Sequence, residues 1–247
     1  MAAMFRGLGL LGFDLDAGLR FTAESIDRSR AAGFVWAEGF ASSFDGILQA
    51  VAGDPSTAQA RYARALDIQR TLGDWEGAGL SLGGLAGLAA ASGELPDALD
   101  LYRQALAAFE TIGDRAEEAR ILSEMAWTHL QDRDAAGARR SFLDSAQAYA
   151  DVGSVRGVGL SLIGLAATET VDNRPERAVQ IAAAAEVYVS QQGIVNVYSD
   201  ETPGREFVGR ARAALSDEDV ALATASGRRL TIKQALSLAR IADAASA

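Results

Sequence analysis

Catalysis needs groups that move protons, hold metals or attack, and this sequence is sparing with them. It has no cysteine and a single histidine, His129. Without cysteine there is no disulfide, thiolate metal site or thiol nucleophile. One imidazole rules out a His-pair metal site and any relay that needs a second ring. His129 stands near the end of an expected helix, in register with Gln49, Ala89 and Glu169, and reads as a solvent-exposed or capping histidine. The acid runs Glu117-Glu118 and Asp217-Glu218-Asp219 open expected helices, where carboxylates complement the helix dipole. Gly79-Leu80-Ser81-Leu82-Gly83-Gly84 and Gly157-Val158-Gly159 have the glycine content of a phosphate loop but no flanking strand and no lysine. Gly79 and Gly159 share a register, which fits close helix packing instead. Arg228, Arg229 and the only lysine, Lys233, lie in a stretch without a basic stripe, so direct nucleic-acid contact is not expected. No catalytic residue, cofactor site or metal site emerges, and the chain is expected to be non-enzymatic.

The elements that would position other chemistry follow from composition and spacing. Of 247 residues, 49% are hydrophobic and 23% charged, a globular balance. Roughly one residue in five is alanine, only 7% are aromatic and β-branched residues are few, so an all-β fold is not expected. The net charge of −10 lies wholly in residues 1–193, because acids and bases cancel in 194–247. Such a chain repels phosphate backbones. Arginine so far outnumbers lysine that a GC-rich genome is implied. The longest early apolar run, Leu8 to Phe13, is ended by Asp14 and Asp16 and is too short for a signal-peptide core. Nothing approaches a membrane span, and a cytoplasmic location is expected.

A period of 40 residues runs through the sequence. Gly33, Gly73, Gly113, Gly153 and Gly193 fall on it. So do Ala58, Ala98, Ala138 and Ala178, and then Tyr62, Tyr102 and Phe142. Leu82, Leu122 and Leu162 align, as do Leu85, Met125 and Leu165, and Ala86, Ala126 and Ala166. Each period reads as two helices, for example from about Asp74 to Ala91 and from about Pro96 to Thr111. Asp114 with Glu117 has the spacing of a capping box. The turn between helices carries Gly53-Asp54-Pro55, Gly93-Glu94-Leu95-Pro96 or Asn173-Arg174-Pro175, and proline is tolerated at a helix start. The periodic glycine stands where a helix ends in a left-handed residue.

These columns resemble the tetratricopeptide repeat: Leu82-x-x-Leu85-Ala86 followed by Ala98-x-x-x-Tyr102, then Leu122-x-x-Met125-Ala126 followed by Ala138-x-x-x-Phe142. The period is longer than the family's 34 residues, and Ala89 stands where the family has a bulky residue. The resemblance implies an all-α, right-handed superhelical solenoid of helix-turn-helix repeats. The expected organisation is a truncated repeat at 1–33, four helix pairs at 34–73, 74–113, 114–153 and 154–193, and a helical C-terminal cap at 194–247. The first segment would hold a stunted helix at Ala2–Leu11 and a fuller one at about Asp16–Arg30. Residues 1–33 thus read as the start of a fragment cut from a longer solenoid.

The last segment breaks the period. Ile194 to Tyr198 is β-prone, Ser199 to Gly204 reads as a loop, and helices are expected at about Arg205–Leu215, from Ser216 to Gly227, and from a Thr231–Gln234 capping box to about Ala244. Ala184-Ala185-Glu186, Arg212-Ala213-Ala214-Leu215 and Ser226 to Thr231 with Gln234-Ala235 resemble the C-terminal end of large actinobacterial LuxR-type regulators and related ATPase- or cyclase-linked proteins. That resemblance implies a sensor or scaffold region of a signalling or transcriptional regulator. No nucleotide-binding lysine loop is present, so the ATPase activity does not carry over.

In tetratricopeptide proteins the first helices line a concave face. Carried over by register, that face takes Phe40, Ile47 and Val51, then Leu80 with Gly83, Gly87 and Ala90. Arg120, Ser123, Trp127 and Leu130 follow, then Leu160 and Ile163. It is more apolar than a solvated surface needs, and Trp and Arg are enriched at binding hot spots. Trp127 and Arg120 are expected at its centre. The expected function is a non-enzymatic protein- or ligand-binding module. The alternative is a quorum-type receptor that clamps a short linear peptide in the groove. The expected partner is a protein or peptide, with no membrane or nucleic acid, no cofactor, and homo-oligomerisation left open.

Overall fold

The computed structural model describes residues 14–190 and 203–240. Ala2–Leu11, the Gly193 turn and Ile194–Tyr198 lie outside the described residues. Among the described residues there are twelve helices and no strand. They are α1 (Leu15–Ala32), α2 (Val35–Ala52), α3 (Pro55–Leu72), α4 (Trp75–Ala91), α5 (Leu95–Ile112), α6 (Arg115–Gln131), α7 (Ala135–Asp151), α8 (Val155–Val171), α9 (Pro175–Ser190), α10 (Pro203–Ala213), α11 (Asp217–Gly227) and α12 (Ile232–Arg240). The fold is all-α and built of consecutive helix pairs. The chain divides into two compact units, Met1–Asp114 and Arg115–Ala247.

The boundaries follow from capping. Asp14, Asp54, Asp74 and Asp134 each accept a hydrogen bond from the backbone N–H three residues on, at 2.8–3.0 Å. This satisfies one of the orphan donors at a helix start. At the other end Gly33, Gly73 and Gly113 take φ of 69 to 71°, and the following N–H closes back onto the helix, as Asp74 does onto the Gln69 carbonyl at 2.9 Å. Gly53 and Gly93 hold the same conformation at the turn inside a repeat, where Arg133 stands at φ 61° and Asn173 at φ 58°. Thr231 and Gln234 form the reciprocal capping box that opens α12. Residues 203 and 204, read from sequence as loop, are the first turn of α10, because proline at a helix start loses no bond.

In the N-terminal unit α2 packs on α1, α3 and α4, and α5 packs on α4. The small column is the reason the helices approach closely. Ala58 and Ala98 are fully buried, and Tyr62 lies between two glycines. A Cβ at Gly46 would come within 2.9 Å of the Tyr62 ring, and one at Gly84 would collide with it. The glycine-rich start of α4 has the same explanation, since a Cβ at Gly79 would meet the Phe109 ring at 2.7 Å.

The C-terminal unit repeats this arrangement with α6 on α7 and α8 on α9. Ala138 and Ala178 are fully buried, and Phe142 lies against Gly164, where a Cβ would collide with its ring. The three short helices pack on the last pair: α10 on α8 and α9, α11 on α9, and α12 on α8 and α9. Gly227 of α11 presses on the Gln180 carbonyl of α9 so closely that no side chain fits there.

Candidate functional site

The buried acids come first, because sequence reasoning missed them. Glu38 of α2 is held by Arg30 of α1 at 3.1 Å and Arg64 of α3 at 3.0 Å. Burial raises its pKa, but the hydrogen bonds and charges of the two arginines outweigh this and hold the carboxyl below its usual range. Asp45, also buried, takes the Thr22 hydroxyl at 2.5 Å and Arg61 at 2.8 Å. Glu169 of α8 has no exposed side-chain surface and is ringed by Arg139 at 3.0 Å, Arg177 at 3.2 Å and Arg174 at 3.5 Å. There burial prevails, and the Glu169 carboxyl is pushed above its usual range despite the three cations. Glu118, expected to serve the helix dipole, is buried and paired with Arg115.

Every one of these carboxylates is neutralised by arginine. They bind helices together and offer no paired acid and base. Among the described residues no group of three or more metal-ligating side chains comes together. His129 is largely buried, and its Nδ1 lies 3.0 Å from Oδ2 of Asp134, the residue that caps α7. Asp45 had a signal in the sequence, since it stands in the column of Leu85, Met125 and Leu165. Glu169 gave less, because its column already holds His129 and Gln49.

One exposed edge of α2 has a different character. Trp36, Phe40 and Phe44 are 57%, 49% and 45% exposed and follow one another at a spacing of four. Trp36 stacks on Phe40 at 5.3 Å between centroids, and Phe40 meets Phe44 at 4.8 Å. Ile47 and Val51 continue the stripe half-exposed, and Leu80 of α4 is half-exposed too. The helix is turned this way by what its other sides must do. Glu38 and Asp45 are held by arginines, and Gly39 lets Ile68 within 2.8 Å of its Cβ position. Ser43 meets Ser81 of α4 at 3.0 Å, and the Gln69 amide closes the group with its nitrogen toward the Ala65 and Gly77 carbonyls at 3.1 and 3.0 Å. With those sides fixed, the aromatic edge is left in water. Trp36 and Phe44 were missing from the sequence reading, although their spacing of four with Phe40 was visible.

The matching positions of the C-terminal unit are placed otherwise. Leu130 is 7% exposed and belongs to the core, not to an open face. Trp127 is half-buried and stands edge-on to Phe142 at 5.0 Å. Its other neighbour is Phe207 of α10, at 6.4 Å between ring centroids. A Cβ at Gly204 would collide with Ile163 and lie 3.4 Å from Trp127. The trough expected around this indole is therefore filled by α10. Arg120 is engaged by Glu117 of its own helix at 2.7 Å. Ser123 and Leu160 are half-exposed. Among the described residues no helix is long and apolar enough to cross a membrane.

Residues 46–111 match the family model of the tetratricopeptide repeat. The match runs from the end of α2 through α5, so it covers tetratricopeptide-like helix pairs of the N-terminal unit. Among solved structures the chain is similar to BtubC (BKLC) from P. vanneervenii, with a TM-score of 0.68 at 18% identity, covering 91% of this chain and 93% of that one. At that identity the likeness shows the fold. No curated protein matches the sequence. Tetratricopeptide repeats are protein-interaction scaffolds.

Proposed function

We propose that this chain is a non-enzymatic binding module whose inner helix faces take a protein or peptide partner, as the sensor or scaffold part of a bacterial signalling or transcriptional regulator. The observation that carries the reading is the exposed run Trp36-Phe40-Phe44. Three large aromatics in contact along one edge are costly to leave in water, and contiguous apolar patches of this kind mark interaction sites. Ile47, Val51 and Leu80 extend the patch, and no charged side chain stands among these six residues. The partner is therefore recognised by apolar contact. The resemblance of the tail to large regulators supports the regulatory setting, and the neutralised acids support the absence of catalysis.

The test uses displayed 15-residue peptides selected on the full chain. Selected peptides are expected to lose at least about tenfold in affinity on Phe40→Glu, as for an aromatic hot spot, with the melting temperature kept. Binders indifferent to Phe40→Glu would overturn the reading.

A further inference from the structure

α1 is a second helix of the repeat. Asp14 caps it as Asp54 caps α3, and Gly33 ends it as Gly73 ends α3. The other second helices each have a preceding helix packed on them: α2 on α3, α4 on α5, α6 on α7 and α8 on α9. On those four the seam is closed. Ala58, Ala98, Ala138 and Ala178 are fully buried, and so are Ala65, Ala105, Ser145 and Ala185. Gly18 and Ser25 share those two columns and are half-exposed. Phe21 is 71% exposed in the column where Ser141 and Ile181 are buried. Across from it on α2, Phe44 is exposed in the column of Gly84 and Gly164, which are both buried against a ring of the preceding pair. Apolar surface left open on two neighbouring helices, at columns that later repeats bury, has the form of a seam that takes one more helix.

The chain has a segment of the right length and place. Thirteen residues precede Asp14. α3 opens three residues after α2 ends, and residue 12 stands at the same offset before Leu15. By register Phe5 joins the column of Leu85, Met125 and Leu165, and Leu8 joins that of Leu48 and Leu88. Arg6 takes the place of Gly46, whose Cβ position lies 2.9 Å from the Tyr62 ring, and Thr22 takes the place of Tyr62. The bulk has changed sides, so the two faces remain complementary in size. Gly7 and Gly9 do not bar a helix, because α4 holds five glycines. As a helix, residues 2–12 would run about 16 Å, and the stretch from Gly18 to Ser25 covers about 10 Å of α1.

We propose that the seam between α1 and α2 is filled by residues 2–12 of this same chain, docked as the first helix of the terminal repeat. Phe21 and Phe44 then leave water. Leu80 and Leu160, the counterparts of Phe40, stay half-exposed although α2 and α6 pack beside their helices. Phe40 therefore remains open to a partner when the segment is docked, and the proposal does not rest on the reading of α2 as a partner site.

The full chain has no cysteine, so engineered disulfides test the placement directly. Ser43 of α2 and Ser81 of α4 meet at 3.0 Å, and Ser43→Cys with Ser81→Cys is the reference pair. Ala3→Cys with Ala41→Cys puts thiols at the same two positions one period earlier. On mild oxidation this pair is expected to close within one chain at a rate within about tenfold of the reference, as thiols in register do. Ala3→Cys with Ala63→Cys, on the exposed side of α3, is expected to close at least about a hundredfold more slowly. No bond between positions 3 and 41, equal rates for 41 and 63, or a bond that joins two chains would each overturn the proposal, the last by giving the seam to a second copy. Hydrogen exchange on the unmodified chain gives a second reading. Amides of residues 2–12 are expected to exchange at least about tenfold more slowly than in a free peptide of residues 1–13, and Phe5→Glu is expected to remove that protection. Exchange at the free-peptide rate, or protection indifferent to Phe5→Glu, would overturn it. Peptide binding through Phe40 is measured separately, so failure of either reading leaves the other standing.

Discussion

The indole of Trp127 meets the ring of Phe142 edge-on, with centroids 5.0 Å apart and planes 79° from parallel. This arrangement favours aromatic pairs beyond their buried area. Phe142 belongs to the aromatic column of the repeat and is fully buried, so Trp127 is joined to the core through it. Trp127→Ala is therefore expected to destabilise folding by about 3 kcal/mol, the lower end of the range for large aromatic truncations. Denaturant unfolding measures this. An unchanged midpoint would place the indole outside the core.

Glycines split into those that are pressed and those that are free. At Gly164 an added Cβ runs into the Phe142 ring, which cannot retreat from a filled core. Gly164→Ala is expected to cost about 1–3 kcal/mol as overpacking. Gly209 lies within α10 with nothing inside 4 Å of its Cβ position. Gly209→Ala should instead make α10 more stable by about 0.5–1 kcal/mol through helix propensity alone. Matching signs in the two melting experiments would contradict the packing described here.

Arg133 holds a left-handed conformation at the position where the earlier repeats place Gly53 and Gly93. A residue with a Cβ is strained there by about 1–2 kcal/mol. Arg133→Gly is expected to recover part of that, less the entropy a glycine adds to the unfolded chain. A lower melting temperature for Arg133→Gly would show that the Arg133 side chain makes contacts worth more than the strain.

Glu38 gives a pH dependence with a definite sign. Burial raises its pKa, but Arg30 and Arg64 more than compensate, and the folded value lies below the unfolded one. Its contribution is fully present above the unfolded value of about 4.3 and is lost as pH falls through the folded value. Unfolding curves from pH 6 down to pH 2 should therefore show a steeper acid loss for wild type than for Glu38→Gln. Identical acid limbs would contradict the ion-pair account.

Much of the architecture was legible because it is periodic. Ala58, Ala98, Ala138 and Ala178 were aligned by spacing alone, and all four are fully buried. Gly73 and Gly113 were read as helix ends and hold left-handed φ. The helix bounds of α4 and α5 differ from expectation by about one residue. What stayed hidden is what periodicity does not encode. Glu38, Asp45 and Glu169 are buried because an arginine on another helix meets each, and no local pattern announces that partnership. The packing of α10 on Trp127 and Ile163 was hidden for the same reason. Its filling residues, Gly204 and Phe207, lie where the period has ended, and their match to Ile163 and Trp127 exists only after folding.

The central claim is that a partner docks on the inner face of α2, and site-specific photo-crosslinking tests it most directly. A benzophenone amino acid replaces either Phe40, on the aromatic stripe, or Ala63, exposed on α3. Each chain is irradiated with a selected 15-residue peptide. The account predicts a strong adduct from position 40 and none above background from position 63. An adduct at 63 as strong as at 40, or none at 40 despite measurable binding, would contradict it.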